Sequence, residues 1–147
     1  MDPEIAPLVP TRRAIEVYPH PALVALFALP LTLKNKAKRG RSIDQRRAEF
    51  ELLCKLLESL SDATPRLQVR NPRWVQIRQK VSSTTSGAEL DRVEDELDAY
   101  ICAYIALYYW THGSDRCRVV GTASDGYIVT PVSPDHARVL DAIGQAR

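Results

Sequence analysis

Ala88-Glu89-Leu90-Asp91-Arg92-Val93-Glu94-Asp95-Glu96-Leu97-Asp98-Ala99-Tyr100-Ile101-Cys102-Ala103-Tyr104-Ile105-Ala106-Leu107-Tyr108-Tyr109-Trp110-Thr111 decides the fold. Leu90, Val93, Leu97, Ile101, Tyr104 and Tyr108 recur at three and four residues, so they share one seam of an α-helix. From Ala99 onward nearly every face is apolar, which a helix covered on several sides requires. Gly113 supplies the stop. The first half is acidic as well as amphipathic. At 3.6 residues per turn, Asp91, Asp95 and Asp98 fall within about 60° of one another, beside the seam. Cys102 and Ile105 continue that face, so the carboxylate row runs from a wet helix end toward a buried surface. Like charges stacked this way oppose helix formation. The helix dipole favours acids only in the first turn, and Asp98 lies beyond it. A hard divalent cation, Mg²⁺ or Mn²⁺, would stabilise the row; an acidic solvated helix start is the plainer alternative.

Working outward, Arg118 to Gly121 and Tyr127 to Thr130 read as two strands around an Asp125-Gly126 turn, and Pro134 to Gln145 as a terminal helix. Upstream, Asn71-Pro72 opens a helix whose stripe is Trp74, Ile77 and Val81. Leu67 to Val69 reads as a short strand. Ser42 and Gln45 form a capping box before Phe50, Leu53, Leu57 and Leu60, while Arg46, Arg47, Glu49 and Glu51 keep the other faces wet. Lys34, Lys36, Lys38, Arg39 and Arg41 make a basic loop able to contact phosphates, with a solvated loop as the alternative. Pro21 to Ala28 reads as a short apolar helix. Arg13 to Tyr18 reads as a strand with Glu16 facing opposite Ile15 and Val17. Residues 1–11 contain three prolines and form an irregular lead-in.

The 147 residues suit one domain, residues 1–147, of α/β class and helix-rich. The net charge of +2 does not by itself indicate a nucleic-acid binder. Cys54, Cys102 and Cys117 have no metal-site or redox spacing and read as reduced, packed thiols. No signal peptide is visible, and the most apolar stretch falls short of the ~20 residues a membrane span needs. A cytoplasmic protein without membrane contact is expected. His20, between prolines, reads as a turn residue, and the tyrosines and Trp74 as core rather than a ligand box.

Several segments together resemble a family of uncharacterised, predicted RNase H-like nucleases. Arg13-Ala14-Ile15-Glu16-Val17-Tyr18-Pro19-His20-Pro21 is similar to its Glu-Val-(Tyr/His)-Pro signature. Lys34 to Arg41, followed by Arg46 or Arg47, resembles its Lys-rich segment. Asp95-Glu96-Leu97-Asp98-Ala99 resembles its Asp-x-x-Asp-Ala helix, and Gly126-Tyr127-Ile128-Val129-Thr130-Pro131 its closing strand. The resemblance runs from about Arg12 to Pro131 and implies the C-terminal portion, residues 12–131, of an RNase H-like fold, followed by a terminal helix over 134–146. It implies that Glu16, Asp95 and Asp98 are catalytic metal ligands and that Lys34, Lys36, Lys38, Arg39 and Arg41 hold nucleic acid; Asp91 and Glu94 are accessory metal-ligand candidates without a motif match. The family's Gly-x-Asp strand has no counterpart here, and Asp2 lies in the lead-in. The expected function is therefore a divalent-metal-dependent nuclease or an inactive remnant of one. The alternative is a non-catalytic module that binds nucleic acid or protein. A strand carrying Glu16 with a bare edge would recruit a second copy, as a homodimer, or a complementary N-terminal chain.

Overall fold

A computed structural model describes residues 6–10 and 12–145. Several helices open where a side chain accepts from a first-turn amide or where proline removes one. Helix α1 spans Pro19–Phe27, with prolines at its first positions. Ser42 opens α2, Ile43–Ser59, and both halves of its capping box form: Gln45 N donates to Ser42 Oγ at 3.1 Å, and Ser42 N to Gln45 Oε1 at 3.0 Å. A 3₁₀ turn, Leu60–Asp62, follows. Asn71 caps α3, Pro72–Ser83, accepting from Trp74 N at 2.9 Å. Helix α4 is Gly87–His112, and a 3₁₀ turn, Gly113–Asp115, succeeds it. Strands β1, Cys117–Thr122, and β2, Gly126–Pro131, form an antiparallel hairpin with Val119 opposite Val129. Helix α5, Pro134–Gln145, starts at Ser133, whose Oγ accepts from His136 N at 3.2 Å.

The fold is α/β and helix-rich, with a two-stranded sheet among the described residues. The segment expected as a strand over 13–18 makes one isolated parallel bridge, Val17 to Val129. Leu67 to Val69 forms no strand; Val69 is buried as the alternation requires, but no neighbouring chain pairs with it there. Among the described residues no helix is long and apolar enough to cross a membrane. Residues 1–5 and 11 of the expected lead-in lie outside the described residues, as does residue 146 of the expected terminal helix.

The chain divides into two compact units. Residues Leu33–Ile101 form one. There α2 packs on α3, and Phe50, Leu53, Leu57, Ile77, Leu90, Val93 and Leu97 are fully buried. Burying each such side chain stabilises by about 1.5–3 kcal/mol before chain entropy is counted.

Residues Met1–Thr32 and Cys102–Arg147 form the other unit. Tyr109, Cys117, Tyr127 and Val129 make its cluster, with Ile15, Val17 and Tyr108 packed against it. Gly121 sits at φ +104°, and a Cβ there would lie 2.2 Å from the Gly126 carbonyl oxygen, so the hairpin closes only around glycine. Leu8 N donates to Trp110 O at 2.9 Å and Trp110 Nε1 to Val9 O at 2.9 Å, which ties residues 8 and 9 to the end of α4.

Candidate functional site

The acidic face of α4 meets cations from its own unit. Residues 90, 93 and 97 are buried, which turns Asp91, Glu94 and Asp98 toward the loop before α2 and the first turn of α2. Lys36 Nζ lies 3.1 Å from Glu94 Oε1 and 3.1 Å from Asp98 Oδ2. Arg46 Nη2 lies 2.7 Å from Asp91 Oδ1 and 3.6 Å from Glu94 Oε2. Glu94 thus touches both cations and is the centre of the cluster. Burial alone would lower the Lys36 pKa, but its hydrogen bonds to Glu94 and Asp98 outweigh that and raise it above the usual lysine value.

Arg46 is the residue the sequence reading placed wrongly. Expected on a wet face, it is 5% exposed. Its Nε donates to Asn35 O at 2.8 Å, and its guanidinium stands 5.9 Å over the Phe50 ring. The signal was present: Arg46 precedes Phe50 by four residues and so belongs to the Phe50–Leu53–Leu57 stripe. Its stem packs as apolar surface while the head reaches carboxylates.

The expected site residues separate into groups. Asp91 and Asp98 stand in the cluster just described. Asp95 is exposed and has no ion pair or hydrogen bond among the described residues. Glu16 belongs to the other unit. It is exposed, and its carbonyl accepts from Val129 N at 2.8 Å, which holds the Val17 bridge. In the basic loop, Arg41 Nη1 donates to Lys36 O at 2.9 Å, and the Lys34 amide donates to Glu49 Oε2 at 3.0 Å. The side chains of Lys34, Lys38 and Arg39 are exposed and have no partner among the described residues. The loop thus divides into cations that hold the fold and cations free to meet an anion. Among the described residues no three His, Cys, Asp or Glu side chains are grouped as a metal site.

Other acids of α4 are structural. Arg73 grips Glu96 through two hydrogen bonds, 2.6 and 2.5 Å, and Thr84 Oγ1 donates to Glu89. His20, expected as a turn residue, lies in the first turn of α1 and packs edge-on against Tyr18, 5.7 Å between ring centres. Trp74, Tyr104 and Tyr109 are buried core, and burial pushes the Tyr104 hydroxyl up to about 12. Cys54, Cys102 and Cys117 are outside any disulfide among the described residues; burial raises Cys54 and pushes Cys117 up to about 12.

No curated protein and no solved structure matches the chain. One family does, described as "Protein of unknown function (DUF429)", over residues 6–124. The match covers the Glu16 segment, the basic loop and the acidic helix, and stops short of β2. Since it takes in most of the sequence, the chain belongs to the DUF429 family.

Proposed function

We propose that this chain supplies helix-borne carboxylates and phosphate-contacting cations to a divalent-metal-dependent phosphodiester hydrolase of RNase H-like type. The observation that supports this most is the shared position of Lys36 Nζ, 3.1 Å from carboxylates on both Glu94 and Asp98. Two acids one turn apart on α4 converge on a single positive charge, the ammonium that a small cation would displace. Mg²⁺ is commonly held by one or two carboxylates, with waters and substrate phosphates completing its shell. The pair fits a metal shared with substrate; a cage made wholly of protein would need a third donor. Glu94 and Asp98 would hold the ion, with Asp95 and Asp91 nearby on the same helix. The metal, when bound, supplies Lewis acidity and a more acidic water. Lys36, released from the pair, would neutralise a phosphate oxygen, while Lys34, Lys38 and Arg39 hold the backbone by salt-dependent attraction. Glu16 enters only through the family resemblance. A second copy or a complementary chain adding a strand beside Glu16 belongs to the same reading, and sedimentation velocity would detect it.

Calorimetric titration with Mn²⁺, alongside cleavage of labelled DNA and RNA oligonucleotides, tests the proposal. Binding heat and cleavage that disappear in Glu94→Gln and Asp98→Asn are expected. Absence of Mn²⁺ heat, or heat unchanged in both variants, would overturn it. One observation favours a second reading, a non-catalytic binding module: Asp91, Glu94 and Asp98 already have cationic partners. That reading predicts metal-independent oligonucleotide binding, lost when Lys34, Lys38 and Arg39 become alanine, without cleavage.

A further inference from the structure

A second polar site lies in the 33–101 unit and shares no residue with the Lys36 cluster. It is a cavity of about 590 Å³ between the end of α2, its 3₁₀ turn and the segment leading to α3. Leu67 N donates to Leu60 O at 3.0 Å, which fixes that segment, and Asn71 N donates to Val69 O at 2.9 Å, which turns it into α3. Between these points exposure alternates: Arg66, Gln68 and Arg70 are exposed, and Val69 is buried. Alternation places the three polar side chains on one side. Arg66 and Arg70 both line the cavity, and neither has an ion pair or hydrogen bond among the described residues. Arg46, Arg47, Arg73 and Arg78 in the same unit are all in ion pairs.

The lining from α2 and its 3₁₀ turn has the other polarity. It carries Glu58, Ser61 and Asp62. Glu58 is anchored by Trp74 Nε1 at 2.8 Å and by Arg78 Nε at 3.3 Å. Asp62 is exposed and has no partner among the described residues. Two guanidinium forks suit the several oxygens of a phosphate. The carboxylates of this lining can accept from hydroxyl groups and repel further negative charge. A polyanionic strand would meet Glu58 and Asp62; a compact ligand with one anionic end would not.

We propose that this cavity binds a small phosphate ester carrying free hydroxyls, its phosphate on Arg66 and Arg70 and its hydroxyls on Asp62 and Glu58. The proposal does not depend on phosphodiesterase activity. Trp74 lines the cavity, so tryptophan fluorescence of the full chain reads occupancy. AMP, ribose 5-phosphate, inorganic phosphate and adenosine are the probes, with calorimetry as a second readout. Saturable binding of AMP or ribose 5-phosphate is expected, with adenosine silent. The double variant Arg66→Ala/Arg70→Ala should weaken binding about tenfold or more, since charge-assisted hydrogen bonds are lost. Its melting temperature should not move, because both side chains are exposed. Asp62→Asn should weaken the esters and spare inorganic phosphate. Asp98→Asn should leave ester binding intact, which separates this site from the metal reading. Adenosine binding as well as AMP, affinity unchanged in the double variant, or no binding of either ester at millimolar concentration would each overturn the proposal.

Discussion

Replacing Arg46 with methionine tests what holds the first turn of α2 to α4. The guanidinium is almost wholly buried, donates to the Asn35 carbonyl at 2.8 Å and contacts Asp91 at 2.7 Å. Asn35 is itself 3% exposed. Losing a charge-assisted hydrogen bond to a buried carbonyl costs about 1.5–3 kcal/mol. The Asp91 pair adds less than ~1 kcal/mol, because the Asp91 side chain is 58% exposed and water replaces its partner. Glu94 keeps Lys36. Two terms oppose the loss: methionine preserves the packing of the stem on Phe50, and removing a buried cation relieves its desolvation. The net is a destabilisation of about 2–3 kcal/mol. For a chain of this size that lowers the melting temperature by roughly 5–10 °C. Far-UV circular dichroism melts at neutral pH measure it, with Asp91→Asn as the control expected to cost under ~1 kcal/mol. A melting temperature within a degree of wild type, or above it, would refute the reasoning, since desolvation would then equal or exceed the contacts.

Three other expectations follow from the same contacts. Lys36 has a folded pKa above its unfolded value of 10.5, so its contribution is complete below pH 10.5 and is lost as pH rises through the folded value. Wild type should therefore lose stability above pH 10.5 more steeply than Lys36→Met, as read by melts between pH 9 and pH 12 (about, in buffer steps). Gly121→Ala places a Cβ against the Gly126 carbonyl at a positive φ and should cost more than ~2 kcal/mol in chemical denaturation, against about 1 kcal/mol for Gly40→Ala, whose φ of +86° is strained but whose Cβ would meet nothing within 4 Å. At pH 8, a thiol reagent should label half-buried Cys102 before Cys54 and Cys117, whose thiols are buried and raised; equal rates at all three would contradict the burial assigned to them.

Helix positions were legible because their determinants are local. Ser42 with Gln45, Asn71 with Pro72, and the seam from Leu90 to Tyr108 each settle a boundary or a face within a few residues. The hairpin was legible for the same reason, through Asp125-Gly126 between two β-branched runs. Strand formation around Glu16 and at Leu67–Val69 was not, because a strand exists only if another chain segment lies beside it. Val17 has a single bridge to Val129, more than a hundred residues away, and the Leu67 segment has none. Local propensity reports that a segment can extend, not that a neighbour is there to pair with it.

The candidate site divides along the same line. That Asp91 and Asp98 share a face follows from helix geometry alone, but what meets them does not. Lys36 lies 62 residues from Asp98, and Arg46 lies 45 residues from Asp91. An acidic helix start reads the same whether a lysine, an arginine or a metal ion faces it. The charges that remain supply the argument for a further cation. Among the described residues Asp91, Glu94 and Asp98 pair only with Lys36 and Arg46, and Asp95 stands on the same helix without a counter-charge. A clasp serving stability alone gains nothing from carboxylates in excess of its cations, since like charges at this spacing destabilise a helix. Surplus negative charge is what the proposed cation would neutralise; Mn²⁺ heat lost in Glu94→Gln and Asp98→Asn would bear that out, and its absence would leave the row a solvated helix end.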